Sequence, residues 1–186
     1  LQTVVNRYKS IADGLQLDHT ICDVITEDLR ERVQGDSSNE ELFIDSLKAA
    51  GEDNNAKLIA AYFNSIGMPA RYVSPKEGLV VNDLPERTFA LPEAYTNLAH
   101  LKYTKEIIVF PGSFGYTKAG ILRTFDRGGS DITGSILAAA VEAELYENFT
   151  DVDCVFSANP KVVNDPVEIK EITYREMREL SYAGFS

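Results

Sequence analysis

Apolar residues recur at helical spacing through the first third of the chain and in short β-capable runs through the rest. Leu1, Val4, Val5, Tyr8, Ile11 and Ala12 share one face and Gly14 stops the pattern, which predicts a first helix over 1–14. A second amphipathic helix spans His19 to Val33 and ends at Gly35. Ser38-Asn39-Glu40-Glu41 reads as a capping box opening a third helix from Asn39 to Ala50. Gly51-Glu52 breaks the pattern, and a fourth helix runs from Asn55 to Ser65, closing at Gly67.

The rest alternates. Ala70–Ser74, Leu79–Asn82 and Thr88–Leu91 are β-capable, and Pro92 opens a helix to Lys102. Glu106–Phe110 (EIIVF) is apolar on both faces, as a central parallel strand is, and ends at the loop Pro111-Gly112-Ser113-Phe114-Gly115. Ile121–Phe125 returns as a hairpin strand across Lys118-Ala119-Gly120. A helix from Ile132 to Ala143, a strand from Glu144 to Phe149 and a loop from Pro160 to Pro166 follow, and a capping box, Thr173 to Glu176, starts a helix to Tyr182. Strands alternating with helices, with glycines at strand ends, predict an α/β layered domain with a mainly parallel sheet.

Composition narrows the partners. A chain of 186 residues, 44% hydrophobic, supports one domain with a real core or part of a larger one. A net charge of −11 argues against nucleic acid or an anionic membrane. From Glu27 to Asp53 nine acids face three bases, which reads as solvated helix faces. Cys22 and Cys154 make neither a disulfide framework nor a metal cluster and read as buried thiols; His19 and His100 are too far apart for a metal pair. No run is apolar enough to span a bilayer and no signal-like start is visible, so the cytoplasm is the expected location. The chain opens at Leu1, without Met and inside a predicted helix, which reads as a piece of a larger protein.

Two polar loops carry candidate chemistry. Arg127-Gly128-Gly129-Ser130-Asp131 runs straight into a helix. Its glycines admit close backbone approach, a helix N-terminus favours an anion, and Arg127 can grip a carboxylate or phosphate with two hydrogen bonds. Ser130 and Asp131 are natural N-caps. The pentapeptide fits an anion site and an ordinary strand–helix connection alike. The second loop, Thr150-Asp151-Val152-Asp153, follows the predicted strand ending at Phe149.

Phe125-Asp126-Arg127-Gly128-Gly129-Ser130-Asp131, Thr150-Asp151-Val152 and Asn159-Pro160-Lys161 together resemble the catalytic domain of aspartokinases. So do Ala50-Gly51-Glu52, Leu58 to Phe63 and Glu171 to Ser186. The resemblance implies the amino-acid kinase (carbamate kinase-like) fold, a three-layer αβα sandwich around a largely parallel sheet. It makes residues 1–186 a partial catalytic domain, with 1–67 the helical, substrate-side part and 68–186 the sheet and nucleotide side. The family's first strand, with its Lys-Phe-Gly-Gly loop, and the regulatory ACT domains have no counterpart in these residues. The implied reaction transfers the ATP γ-phosphoryl group to the β-carboxylate of L-aspartate, the first step towards lysine, threonine and methionine. A carboxylate nucleophile is ionised at neutral pH and needs no general base, so positioning and charge neutralisation carry the catalysis.

By resemblance, Arg127 and Asp131 are the catalytic residues, Arg127 binding the substrate's carboxylate and Asp131 orienting nearby lysines or the cap; Ser130 is another substrate contact and Glu52 faces the substrate amino group. On the bare sequence Glu52 reads as one more surface acid in an acidic region, and only the resemblance reverses that. Gly112, Gly115, Thr150, Asp151, Phe156 and Lys161 fall on the nucleotide side. Phe156 stands where many relatives have Tyr, and Lys161 where others have Arg. Mg²⁺ is expected with ATP, without a protein cage of its own. A homo-oligomeric parent enzyme is implied, and these 186 residues alone are expected to be inactive. Two alternatives stand beside this reading. One is another acceptor on the same fold: glutamate, acetylglutamate, carbamate or a nucleoside monophosphate. The other is a non-catalytic assembly or regulatory piece.

Overall fold

A computed structural model describes residues 1–84, 87–125, 128–149, 154–158 and 162–177. The chain divides into two compact units, Leu1–Tyr146 and Glu147–Ser186. The first unit opens with α1 (Gln2–Gly14), α2 (Thr20–Val33) and α3 (Glu40–Ser65). Then come β1 (Ala70–Tyr72), α4 (Glu93–Leu98), β2 (Ile107–Val109), β3 (Phe114–Tyr116), β4 (Leu122–Thr124) and α5 (Gly129–Ala140). Short 3₁₀ turns occupy Pro75–Glu77 and Ala99–Tyr103, the latter completing the helix predicted to Lys102.

The two helices expected on either side of Gly51 are one. Gly51 costs an isolated helix about 1 kcal/mol relative to Ala, but tertiary contacts outweigh that here. Ala49, Ala50, Asp53 and Asn54 around it are buried, and the Tyr8 hydroxyl donates to the Gly51 carbonyl at 3.1 Å. The cap of α3 is Asn39 rather than Ser38: the Asn39 side chain accepts from the Leu42 N–H at 3.2 Å. At the far end Asn64 bridges out of the helix, donating to the Ala70 carbonyl at 2.7 Å and accepting from the Ala70 N–H at 3.1 Å. That contact sets where β1 begins.

β1 and β2 pair in parallel, Arg71 opposite Ile108, and β3 and β4 pair antiparallel, Gly115 opposite Arg123. A parallel bridge from Val80 to Tyr116 and an antiparallel one from Val81 to Ala90 are what remains of the strands expected at Leu79–Asn82 and Thr88–Leu91. The expected hairpin is present, turning over Thr117–Gly120 with Gly120 at φ 80°. No strand forms over 144–149. Leu145 is 71% exposed there, so nothing apolar recruits the segment into a sheet.

Two apolar clusters hold this unit. Val5, Ala12, Cys22, Ile25, Leu29, Ala50 and Leu58 join α1, α2 and α3. Val73, Leu79, Val81, Leu98, Phe125 and Ile136 join the strand segments to α4 and α5. With α3 packed on β1, β2 and β4, the strands lie between two helical layers, the αβα arrangement expected.

The acidic run is only partly a solvated face. Asp45 and Asp53 are buried and Asp28 is half-buried. Arg32 pairs with Asp28 through Nε at 2.8 Å and with Asp53 through Nη2 at 2.6 Å, and Lys57 reaches Asp53 at 3.0 Å. Tyr72 donates to Asp53, and Asn54 donates to Asp28 at 2.7 Å. Burial alone would raise the Asp28 carboxyl, but hydrogen bonds from Arg32 and Asn54 and the charges of Arg32 and Lys57 hold it below its ordinary range. Burial, then Asp53, pushes the Tyr72 phenol well up.

In the second unit, β5 (Val155–Phe156) pairs antiparallel with β6 (Glu168–Ile169). The capping box forms as expected: Thr173 N–H donates to Glu176 Oε2 at 2.9 Å and residues 174–177 are helical. Among the described residues no helix is long and apolar enough to cross a membrane.

Candidate functional site

The Glu52 side chain leaves α3 between the loop after β2 and the start of α5. Its Oε2 accepts the Gly112 N–H at 2.9 Å. Ser130 Oγ donates to the same carboxylate, 2.9 Å from Oε1 and 3.0 Å from Oε2. Three residues far apart in sequence, all singled out from sequence, therefore meet at one carboxylate. A carboxylate offers about four lone-pair directions, so acceptor capacity is left for a cationic ligand group.

Glycine is required at 112. A Cβ there would stand 2.6 Å from the Ser130 Cα and 2.9 Å from its Cβ. The Gly112 carbonyl accepts from the buried Thr133 hydroxyl at 2.6 Å, so α5 grips this residue from two sides. Gly129 packs as tightly, its absent Cβ 2.9 Å from the Phe125 Cβ. The residue capping α5 is Gly128, not Ser130 or Asp131. It is left-handed at φ 62°, and its carbonyl accepts the Ile132 N–H at 2.9 Å. Ser130 and Asp131 instead occupy the first helical turn, where an acid suits the helix dipole.

Gly115 sits inside β3, where a Cβ would meet Val81 Cγ1 at 2.6 Å and the Leu79 carbonyl at 2.7 Å. Its glycine character thus serves strand packing. Phe156 lies in β5 of the second unit, half-buried. Arg127, Thr150, Asp151 and Lys161 fall outside the described residues.

Glu52 borders a cleft of about 1400 Å³ between α1, α3 and the β4 end. Glu41, Asp45, Lys48, Glu52 and Asn55 line it at helical spacing, one stripe along α3. Arg7, Lys48, Arg87 and Arg123 face it together with Glu41, Asp45 and Glu52, so its walls carry charge of both signs. Sequence reading missed Asp45, Arg123 and Thr124. Thr124 Oγ1 donates to Asp45 Oδ1 at 2.5 Å, and Arg123 Nη2 donates to Glu41 Oε1 at 2.6 Å. The signal existed: once α3 is read as continuous, Glu41 and Asp45 align with Glu52. Among the described residues no cluster of three His, Cys, Asp or Glu side chains could hold a metal ion.

The αβα domain thus holds a carboxylate between a glycine loop and a helix start, at a cleft whose walls carry both charges, the two signs that a small zwitterion would need as partners. The chain belongs to the amino acid kinase family, whose profile matches residues 2–186. It is 56% identical over all 186 residues to aspartokinase 3 of Bacillus subtilis (strain 168), covering 41% of that protein. The crystal structure of Clostridium acetobutylicum aspartate kinase superposes with a TM-score of 0.76 at 32% identity, over 100% of this chain and 40% of that one. Escherichia coli aspartokinase III, solved in complex with aspartate and ADP, shares the fold with a TM-score of 0.70 at 21% identity, over 95% of this chain and 43% of that one. The chain therefore spans about two fifths of the length of these relatives.

Proposed function

We propose that this chain is part of the catalytic domain of an aspartokinase, an enzyme that as a whole transfers the γ-phosphoryl group of ATP to the β-carboxylate of L-aspartate. One carboxylate oxygen attacks the γ-phosphorus, the bond to the bridging oxygen breaks, and ADP leaves with that electron pair. The observation that carries the reading is the Glu52 carboxylate, oriented by Gly112 N–H and Ser130 Oγ at the edge of a cleft lined by both bases and acids. It is placed to receive the substrate ammonium as an ion pair. Family membership and 56% identity to an aspartokinase support the same choice.

In this reading Arg127 takes a substrate carboxylate, Ser130 contacts the substrate, and Asp131 orients its neighbours. Gly112, Gly115, Thr150, Asp151, Phe156 and Lys161 belong to the nucleotide side, and Mg²⁺ arrives with ATP as part of that substrate. We place the enzyme in the cytoplasm, as a homo-oligomer, at the entry to lysine, threonine and methionine synthesis.

The test separates aspartate from acceptors without a charged amine. Titration calorimetry compares L-aspartate with succinate, which lacks only that amine, on the protein and on Glu52→Gln. The expected result is a preference for aspartate that Glu52→Gln abolishes. Tight binding of acetylglutamate or a nucleoside monophosphate, with none of aspartate, would overturn the assignment.

A further inference from the structure

The geometry points to Asp45 as a positioning residue for Glu52: through Thr124 and Arg123 it locks α3 to β4 and so fixes the carboxylate that meets the substrate amine. The inference rests on the proposed role of Glu52 as the ammonium partner.

Asp45 and Glu52 lie on one stripe of α3, seven residues or about 10 Å apart along the axis. Asp45 is 7% exposed, yet it is a carboxylate, so its orientation has to be satisfied from within. Its Oδ1 receives the Thr124 hydroxyl at 2.5 Å, and Oδ2 stands 3.6 Å from Arg123 Nε. Arg123 is itself buried; its Nη2 is spent on Glu41, and its Nε makes no hydrogen bond. The Coulomb pull of Asp45 is thus the main compensation for that buried edge of the guanidinium.

What the chain holds one residue past Thr124, at the same end of β4, gives the lock its consequence. Phe125 N–H donates to the Ser113 carbonyl at 2.9 Å, one residue beyond Gly112. The Phe125 side chain closes on Gly129, one residue before Ser130. Asp45 therefore fastens α3 to the strand end that sets both partners of Glu52. If α3 slides on β4, the Glu52 carboxylate moves against Gly112 and Ser130 together. Hydrogen bonds of 2.9 and 3.0 Å do not survive a shift of half an ångström or more without weakening.

The test is a cycle of variants read by titration calorimetry with aspartate and succinate. Thr124→Val keeps the side-chain shape and removes the donor to Asp45. It is expected to weaken aspartate binding about tenfold or more while leaving succinate within about twofold. Thr124→Ser, which keeps the hydroxyl, should restore the preference for aspartate. In the Glu52→Gln background, Thr124→Val should add less than about twofold, because the carboxylate it positions is gone. Equal weakening of both ligands, or an undiminished effect in that background, would show a structural role only and overturn the inference. If Glu52→Gln alone leaves the aspartate preference intact, the ammonium-partner reading falls first, and the inference with it. Should Thr124→Val fail to fold, Asp45→Asn takes its place, keeping the Thr124 acceptor while removing the charge facing Arg123.

Discussion

Replacing Gly112 with alanine probes the centre of the site directly. The added methyl would lie 2.6 Å from the Ser130 Cα, 2.9 Å from its Cβ and 3.1 Å from its Oγ. The nearest of these is backbone, so no rotamer change relieves it, and the loop and the start of α5 have to separate. Overpacking of this kind costs about 1–3 kcal/mol. Separation also weakens the Gly112 N–H bond to the Glu52 carboxylate, of a class worth about 1.5–3 kcal/mol, and the bond from Thr133 to the Gly112 carbonyl. Partial relaxation keeps the terms from adding fully, leaving a net loss of about 3 kcal/mol.

Gly51→Ala is the matched control. It lies next to Glu52 in the interior of α3, with nothing within 4 Å of the added methyl, and should gain up to about 1 kcal/mol in helix propensity. Urea unfolding followed by far-ultraviolet circular dichroism reads both. For a slope of about 2.5 kcal/mol/M, Gly112→Ala lowers the midpoint by about 1 M while Gly51→Ala raises it slightly. A Gly112→Ala protein with an unchanged midpoint, or a Gly51→Ala protein that loses as much, would refute the packing argument and the single continuous helix respectively.

Further outcomes follow from the buried polar contacts. Thr133→Val, which preserves volume but leaves the Gly112 carbonyl unpaired, should cost about 1–3 kcal/mol in the same urea assay. Asp53→Ala leaves Arg32 and Lys57 with Asp28 as their remaining carboxylate and should cost about 1.5–3 kcal/mol, whereas Tyr72→Phe removes one donor and should cost less. Because the Asp28 carboxyl is held below its unfolded value near ~4, its contribution is complete above that pH and is lost as pH falls through the lower folded value. The stability gap between the protein and Asp28→Asn should therefore narrow on acidification below about pH 4, measured as urea midpoints across pH.

Local periodicity made much of this fold legible. α1, α2, the hairpin over Gly120 and the capping box at Thr173 each follow from a few neighbouring residues, and each is present. Where the answer depended on distant contacts, sequence reading went astray. Gly51 looks like a helix end until the Tyr8 hydroxyl and the buried residues around it are in place. Ser130 looks like a cap until Gly128 takes the left-handed position and sends Ser130 to Glu52 instead. Family resemblance put Glu52 and Ser130 together at the substrate but set Gly112 with the nucleotide; its N–H meeting Glu52 was not legible, since spacing alone could not relate a helix to loops some sixty and eighty residues away.

The same contrast explains why one helix carries two adjacent acids with opposite fates. Successive residues on an α-helix point about 100° apart, so Glu52 and Asp53 cannot share a face. Asp53 turns towards α2 and β1, where Arg32, Lys57 and Tyr72 neutralise it. Its charge, compensated at close range, contributes little to the field in the cleft. Glu52 turns the other way and, among the described residues, its hydrogen bonds come from neutral donors, the Gly112 amide and the Ser130 hydroxyl. Neutral donors orient a carboxylate without cancelling its charge, so the negative field that an incoming ammonium would feel is that of Glu52. Breaking the continuity of α3 would rotate the two acids independently and merge a compensated charge with an uncompensated one. The unbroken helix through Gly51 is therefore what lets a crowded acidic segment serve as internal scaffold on one side and, in the proposed reading, as ligand partner on the other.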